Sequence, residues 1–139
     1  MAPVAVVVGL GIAAALVLAQ LQQQFDAIAI CAGAMAPVPL DVPGNDLAGI
    51  QYGVEFMKKA NLCEELEVGS DVVVIGGGYT AMDCSRTSLR HGAKNVTIAY
   101  RRTRSELVVD EEELGETERE GVRMEFLASP IEVIGDEDG

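Results

Sequence analysis

The stretch from Asp71 to Arg104, DVVVIGGGYTAMDCSRTSLRHGAKNVTIAYRRTR, constrains this chain more than any other. Its first five residues, Asp71–Ile75, form a short apolar run that ends in three glycines, the pattern of a buried parallel strand. Tyr79 to His91 has helical character, and Gly92 follows as a C-terminal stop. Asn95–Tyr100 is rich in β-branched residues and predicts a second strand. Strand, glycine turn, helix and strand in this order predict a βαβ unit.

Gly76, Gly78 and Ala81 fit the pattern G-x-G-x-x-[G/A]. The first position permits a tight turn out of the strand. The second lets the backbone approach a pyrophosphate with no Cβ in between, and the third must be small so that the helix lies close to the sheet. A pyrophosphate would rest on the free N–H groups at the helix start, where the dipole favours negative charge. Gly76, Gly77, Gly78, Tyr79, Thr80 and Ala81 are therefore the candidate cofactor-binding residues of this turn. Cys84, Ser85 and Ser88 continue the run of small residues along the helix, which suits close packing. The alternative is a glycine-rich turn with no ligand.

The end of the second strand narrows the choice of dinucleotide. An NAD site carries Asp or Glu there for the ribose 2′-OH. This chain has Tyr100, Arg101, Arg102 and then Arg104, with no carboxylate before Glu106. A guanidinium binds a 2′-phosphate bidentately, so Arg101, Arg102 and Arg104 favour NADPH over NADH. A solvated basic loop is the alternative.

With these residues in view, IGGGYTAMDCSRTSLRHGAKNVTIAYRRTRSEL resembles the pyridine-nucleotide domain of the glutamate synthase small subunit. Similar domains occur in dihydropyrimidine dehydrogenase and related NADPH-dependent flavoproteins. FDAIAICAGA, residues 25–34, resembles the strand and turn that close the FAD domain in these proteins, making Gly33 a further candidate cofactor contact. DVPGNDLAGI, residues 41–50, resembles their interdomain linker, and Tyr52 to Leu62 the helix that follows it. Two departures stand out. The family pattern has Asn where this chain has Tyr79, and Met-Pro-Ala where it has Leu107, Val108 and Val109. The second bears on the shape of the loop beneath the adenosine ribose.

A chain of 139 residues is one domain by length. Aromatics are few and Trp is absent, so Val, Ile, Leu and Ala must fill the core, as in α/β proteins whose strands are covered on both faces. The net charge is −12, of which −10 falls between Asp110 and Gly139. Such a balance argues against nucleic-acid binding and for a solubilising end or one that faces a basic partner. Cys31, Cys63 and Cys84 stand apart with no CxxC, which argues against a disulfide framework, a zinc site or an iron–sulfur site. An odd number of thiols suits a reducing, cytoplasmic setting. The single histidine, His91, sits beside Gly92 where it would meet the last helix carbonyls.

Residues 3–19 carry no charge and leave three readings open. The first is a membrane helix or signal anchor, although the run is short and no Lys or Arg flanks it. The second is a strand, Val4 to Val8, a turn and a helix, Ile12 to Gln24, in which Gly9, Gly11 and Ala14 form a second G-x-G-x-x-A resembling an FAD-binding start. A plain buried βα unit that completes the sheet is the third. In the resembled family a long stretch separates the FAD motif from the FDAIAICAGA-like segment, and here residues 15–24 are all that remain. An FAD site is thus expected to be incomplete, with FAD binding left open.

The expected fold is α/β: a Rossmann-like doubly wound parallel sheet, preceded by a truncated remnant of an FAD-domain βα unit. Residues 1–34 would be that remnant, 35–50 a linker and 51–139 the dinucleotide domain. Strands near 72–75, 95–100 and 122–127 would form the centre, with Ser105–Val109 a loop, Asp110–Glu120 an acidic helix and Ile131–Ile134 a short last strand. The strand at 27–31 and the N-terminal strand would extend this sheet or make a small second one. Resemblance implies an oxidoreductase component that takes hydride from NADPH to FAD and passes electrons to a protein partner carrying the rest of the chain. A nucleotide-binding module or fragment without activity of its own is the alternative.

Overall fold

The computed structural model describes residues 4–7, 14–30 and 36–135. The chain divides into two units, residues 1–36 and 37–139. The 41–50 segment, read from the sequence as a linker, thus belongs to the second unit. Gly9, Gly11 and Gly33 lie outside the described residues, and with them the second glycine motif and the turn of residues 31–34.

In the first unit, β1 (Val4–Val7) and β2 (Ala27–Ile30) pair in parallel through α1 (Ala14–Gln24), with Val4 opposite Ala27 and Val7 opposite Ile30. They make a two-stranded sheet separate from the main one. The uncharged N-terminal run is divided between a strand and a helix. No helix among the described residues is long and apolar enough to cross a membrane.

The second unit holds α2 (Gly53–Asn61), β3 (Asp71–Ile75), α3 (Tyr79–Arg90), β4 (Asn95–Tyr100), α4 (Glu111–Arg119) and β5 (Arg123–Phe126). The sheet order is β3-β4-β5, all parallel. Register places Val74, Ile98 and Met124 in one row across the sheet. That row faces α3 and α4, and the core between them consists of Met82, Ala93, Val96, Ile98, Val109, Leu114 and Val122. Full burial of each large aliphatic side chain stabilises the fold by about 1.5–3 kcal/mol.

Helix boundaries follow local chemistry. Asp110 caps α4, its carboxylate accepting from the Glu113 N–H at 2.8 Å, and Glu111, Glu112 and Glu113 complement the helix dipole. The C-cap of α3 is His91, and Gly92 follows at φ +102°, a left-handed position that stops the helix. Helix α2 lies on α3 where small residues meet: a Cβ on Gly53 would stand 3.1 Å from Cys84 Sγ. Ser85 and Ser88, fully buried, turn their hydroxyls back to the Met82 and Cys84 carbonyls.

Three expectations need correction. β3 is a strand but is not buried on both faces, because within the second unit the described helices α3 and α4 pack on one face of its sheet. Val72 and Val74 turn to the core, whereas Val73 is 67% and Ile75 47% exposed. Ile131–Ile134 forms no strand; the Val133 N–H bonds the Pro43 carbonyl at 2.9 Å, so this segment ties back to the 41–50 loop. The 105–109 loop begins with a 3₁₀ turn, Arg104–Glu106, in which Glu106 accepts from the Thr103 N–H and hydroxyl at 3.1 and 2.8 Å.

Candidate dinucleotide site

The glycine turn joins the C-terminal end of β3 to the start of α3, and its three glycines are there for three different reasons. Gly76 has φ +141°, a conformation that L side chains rarely adopt. Its N–H continues the ladder to the Ala99 carbonyl at 3.1 Å. Gly77 is buried against the Tyr100 ring, and a Cβ there would overlap the ring and come within 2.8 Å of a Leu107 methyl. Gly78 differs from both. As the N-cap of α3 it has φ −104° and ψ 176°, open to any residue, and a Cβ on it would meet nothing nearer than Val108 Cγ2 at 3.8 Å. The positive φ of this turn thus falls at Gly76 and not at Gly78.

Neither the chain's conformation nor its packing therefore requires glycine at position 78. Ser, Thr, Asp or Asn would cap the helix better. Gly78 supplies no side-chain acceptor, so the Tyr79 and Thr80 N–H groups at the start of α3 are left without a cap, while the Ala81 N–H bonds the Gly78 carbonyl at 2.9 Å. Space and free donors coincide at the positive end of the helix dipole, which is what a pyrophosphate needs. Ala81, 7% exposed, is the small third position that lets α3 lie on the sheet.

Tyr79 and Thr80 are exposed at the mouth of the turn. The Tyr79 hydroxyl donates to Asp110 Oδ2 at 3.0 Å and links the start of α3 to the cap of α4. The Glu113 N–H, and after it the Tyr79 hydroxyl, hold the Asp110 carboxyl below the ordinary aspartate range, and Asp110 in turn raises the Tyr79 phenol. Val108 borders Gly78 from the neighbouring loop and is 71% exposed.

The three arginines do not stand alike. Arg101 and Arg102 leave the C-terminal end of β4, one strand over from the glycine turn, since Ile75 pairs with Ala99. Both are exposed, and neither makes an ion pair among the described residues. Arg104 is engaged: its guanidinium grips Glu118 at 2.7 and 3.0 Å and reaches Glu111 at 3.4 Å. These bonds raise the Arg104 pKa and lower that of Glu118.

Sequence reasoning did not find Asp110, Glu118 or the Tyr100 ring as parts of this region. Leu107 and Val108 were noted only as departures from a pattern, and the structure shows what they do: they wall Gly77 and Gly78. No group of side chains among the described residues could hold a metal ion. Cys63 and Cys84 are both free thiols.

The pyridine nucleotide-disulphide oxidoreductase family model matches residues 5–139. The β subunit of an NADPH-Fe(3+) oxidoreductase from Geobacter sulfurreducens is 40% identical over 123 residues, covering 86% of this chain and 18% of that protein. The β subunit of an NADP(+)-dependent formate dehydrogenase from Moorella thermoacetica is 40% identical over 121 residues, covering 84% and 17%. A glutamate synthase [NADPH] small chain from Halomonas elongata is 35% identical over 128 residues, covering 85% and 27%. Among solved structures, bacillithiol disulfide reductase from Bacillus cereus superposes with a TM-score of 0.52 at 27% identity, over 78% of this chain and 33% of that one. The chain thus spans about a fifth to a quarter of the length of these curated relatives.

Proposed function

This chain belongs to the pyridine nucleotide-disulphide oxidoreductase family, and from that premise we propose that it is the NADPH-holding part of a flavoprotein oxidoreductase that feeds electrons from NADPH to FAD. The observation that carries the reading is Gly78, a glycine needed by neither conformation nor packing, at an uncapped helix start. Gly76 to Ala81 would hold the pyrophosphate, and Arg101 and Arg102 the 2′-phosphate. Bound NADPH supplies a hydride, and the protein's part is to hold and orient it. Tyr79, hydrogen-bonded to Asp110, would border the phosphates, and Val108 would give the cradle an apolar wall.

The relatives bear the names of subunits of NADPH- or NADP(+)-dependent enzymes. As subunits, they support a protein partner, which in this reading would carry the electrons onward; a cytoplasmic setting is part of the same proposal and rests on the odd number of thiols. A glutamate synthase-like role is one form of this reading. FAD belongs to the same picture as the hydride acceptor.

The second reading, a nucleotide-binding module without activity of its own, is favoured by one observation: only residues 15–24 separate the N-terminal glycine motif from the segment at 25–34. Titration of the purified chain with NADPH, NADH and FAD by calorimetry tests the main reading. NADPH bound more tightly than NADH supports it, and no binding of either nucleotide overturns it. Yellow colour and NADPH oxidation with a dye acceptor would reject the module reading.

A further inference from the structure

We propose that Arg104 is a positioning residue, whose grip on Glu118 sets the segment that presents Arg101 and Arg102 to a 2′-phosphate. This rests on the reading of those two arginines as phosphate ligands.

The segment is fixed from several sides. The Leu127 N–H bonds the Arg102 carbonyl at 3.2 Å, and the Tyr100 hydroxyl bonds the Glu106 carbonyl at 2.9 Å. Thr103 and Glu106 close the turn on itself. Arg104 adds the only ion pairs from this turn to α4 among the described residues, two contacts to Glu118 and one to Glu111. Arg101 and Arg102, in contrast, ride on this fixed backbone with exposed side chains.

Arg104 is poorly placed to serve as a ligand itself. It would have to exchange a bidentate carboxylate for a phosphate, one anion for another, with little net gain. The released Glu118 and Glu111 would then stand close to the phosphate and repel it. Holding the loop costs neither of these. Lysine could not take over, because it presents a point charge and not a planar fork.

The two roles predict opposite signs for one variant. If Arg104 were a ligand restrained by Glu118, Glu118→Gln would free it and leave NADPH binding unchanged or tighter. If it is a strut, Glu118→Gln and Arg104→Ala each weaken NADPH by about three- to fivefold, the worth of a good surface ion pair. The double variant then loses no more than either single one, and Arg104→Lys does not restore affinity. Calorimetric titration of the 139-residue chain with NADPH and NADH reads all of these, with melting temperatures taken in parallel. The result that supports the proposal is a loss specific to NADPH, shared by the two single variants and non-additive. Unchanged or tighter NADPH binding in Glu118→Gln overturns it, as does equal loss for NADH. An Arg102→Ala variant that keeps full NADPH affinity overturns the phosphate reading beneath it, a separate and recognisable failure.

Discussion

Gly77 lies against the ring of Tyr100, so closely that a Cβ on the glycine would overlap the ring and stand 2.8 Å from a methyl of Leu107. The contact joins the turn after β3 to the last residue of β4 and fixes the turn's height above the sheet. Tyr100 cannot easily move aside, because it is buried and its hydroxyl is bound to the Glu106 carbonyl. Gly77→Ala is expected to destabilise the fold by about 1–3 kcal/mol, the range for overpacking a filled site. Thermal or urea unfolding monitored by circular dichroism checks this, and an unchanged midpoint would contradict it.

Arg86 ties α3 to α4. Its guanidinium reaches Glu113 at 2.7 Å, Glu116 at 3.2 Å and Glu120 at 2.7 Å, and Arg90 adds a second cation on Glu120. Arg86→Met should lower stability by about 1 kcal/mol, since the network is only partly shielded from water. The same pairs make stability pH-dependent. The Arg86 hydrogen bond holds Glu120 below its ordinary value of 4.5, as the Arg104 bond does for Glu118. Carboxylates lowered on folding contribute stability that is fully present above that value and lost as pH falls through the depressed one. Unfolding midpoints should therefore drop below pH 4.5 and drop less steeply in Arg86→Met. A parallel pH profile for the two proteins would argue against the network's role.

Arg102 is exposed and outside the ion pairs that hold Arg104. Arg102→Ala should weaken NADPH by about 1–2 kcal/mol, the worth of a charge-assisted contact, while NADH changes little. Calorimetry with both nucleotides separates these outcomes. Equal loss for both would sink the 2′-phosphate assignment.

The two described thiols should react differently. Burial, with a smaller effect from Asp83, pushes the Cys84 thiol up to about 11, and it sits against the Gly53 carbonyl. Cys63 is exposed. Iodoacetamide at neutral pH should label Cys63 and spare Cys84 until the protein is unfolded, as read by peptide mass mapping. Rapid labelling of Cys84 in folded protein would contradict the close packing of α2 on α3.

Much of this architecture is legible in the residues themselves. Val72 to Ile75 before three glycines, and Asn95 to Tyr100 after Gly92, mark two strands and the turn between them. Each is defined by local patterning, and the observed bounds differ by no more than a residue or two. Ile131–Ile134 is likewise rich in β-branched apolar residues yet forms no strand, because a strand requires a partner and the Val133 N–H instead finds the Pro43 carbonyl. Pairing of that kind is a tertiary choice, invisible in spacing. So is the Arg104–Glu118 pair, whose partners stand fourteen residues apart on a turn and a helix. Exposure of Val73 follows from its place on the face of the sheet away from α3 and α4, which composition cannot report. The fingerprint glycines were found from their spacing, but which one carries the positive φ and which one leaves open space required backbone angles.

Gly78 is where the account is most directly exposed to test. Its φ of −104° is accessible to every residue and its Cβ position is open. Gly78→Val should therefore fold with stability within about 1 kcal/mol of the parent, the scale of a changed N-cap. The added side chain would fill the space next to the first-turn N–H groups of α3, and nucleotide binding should be lost. Calorimetric titration of NADPH into Gly78→Val, shown to be folded by circular dichroism, is the deciding measurement. Loss of binding in a folded protein is the predicted result. Unchanged NADPH affinity would mean that this turn is not the phosphate site.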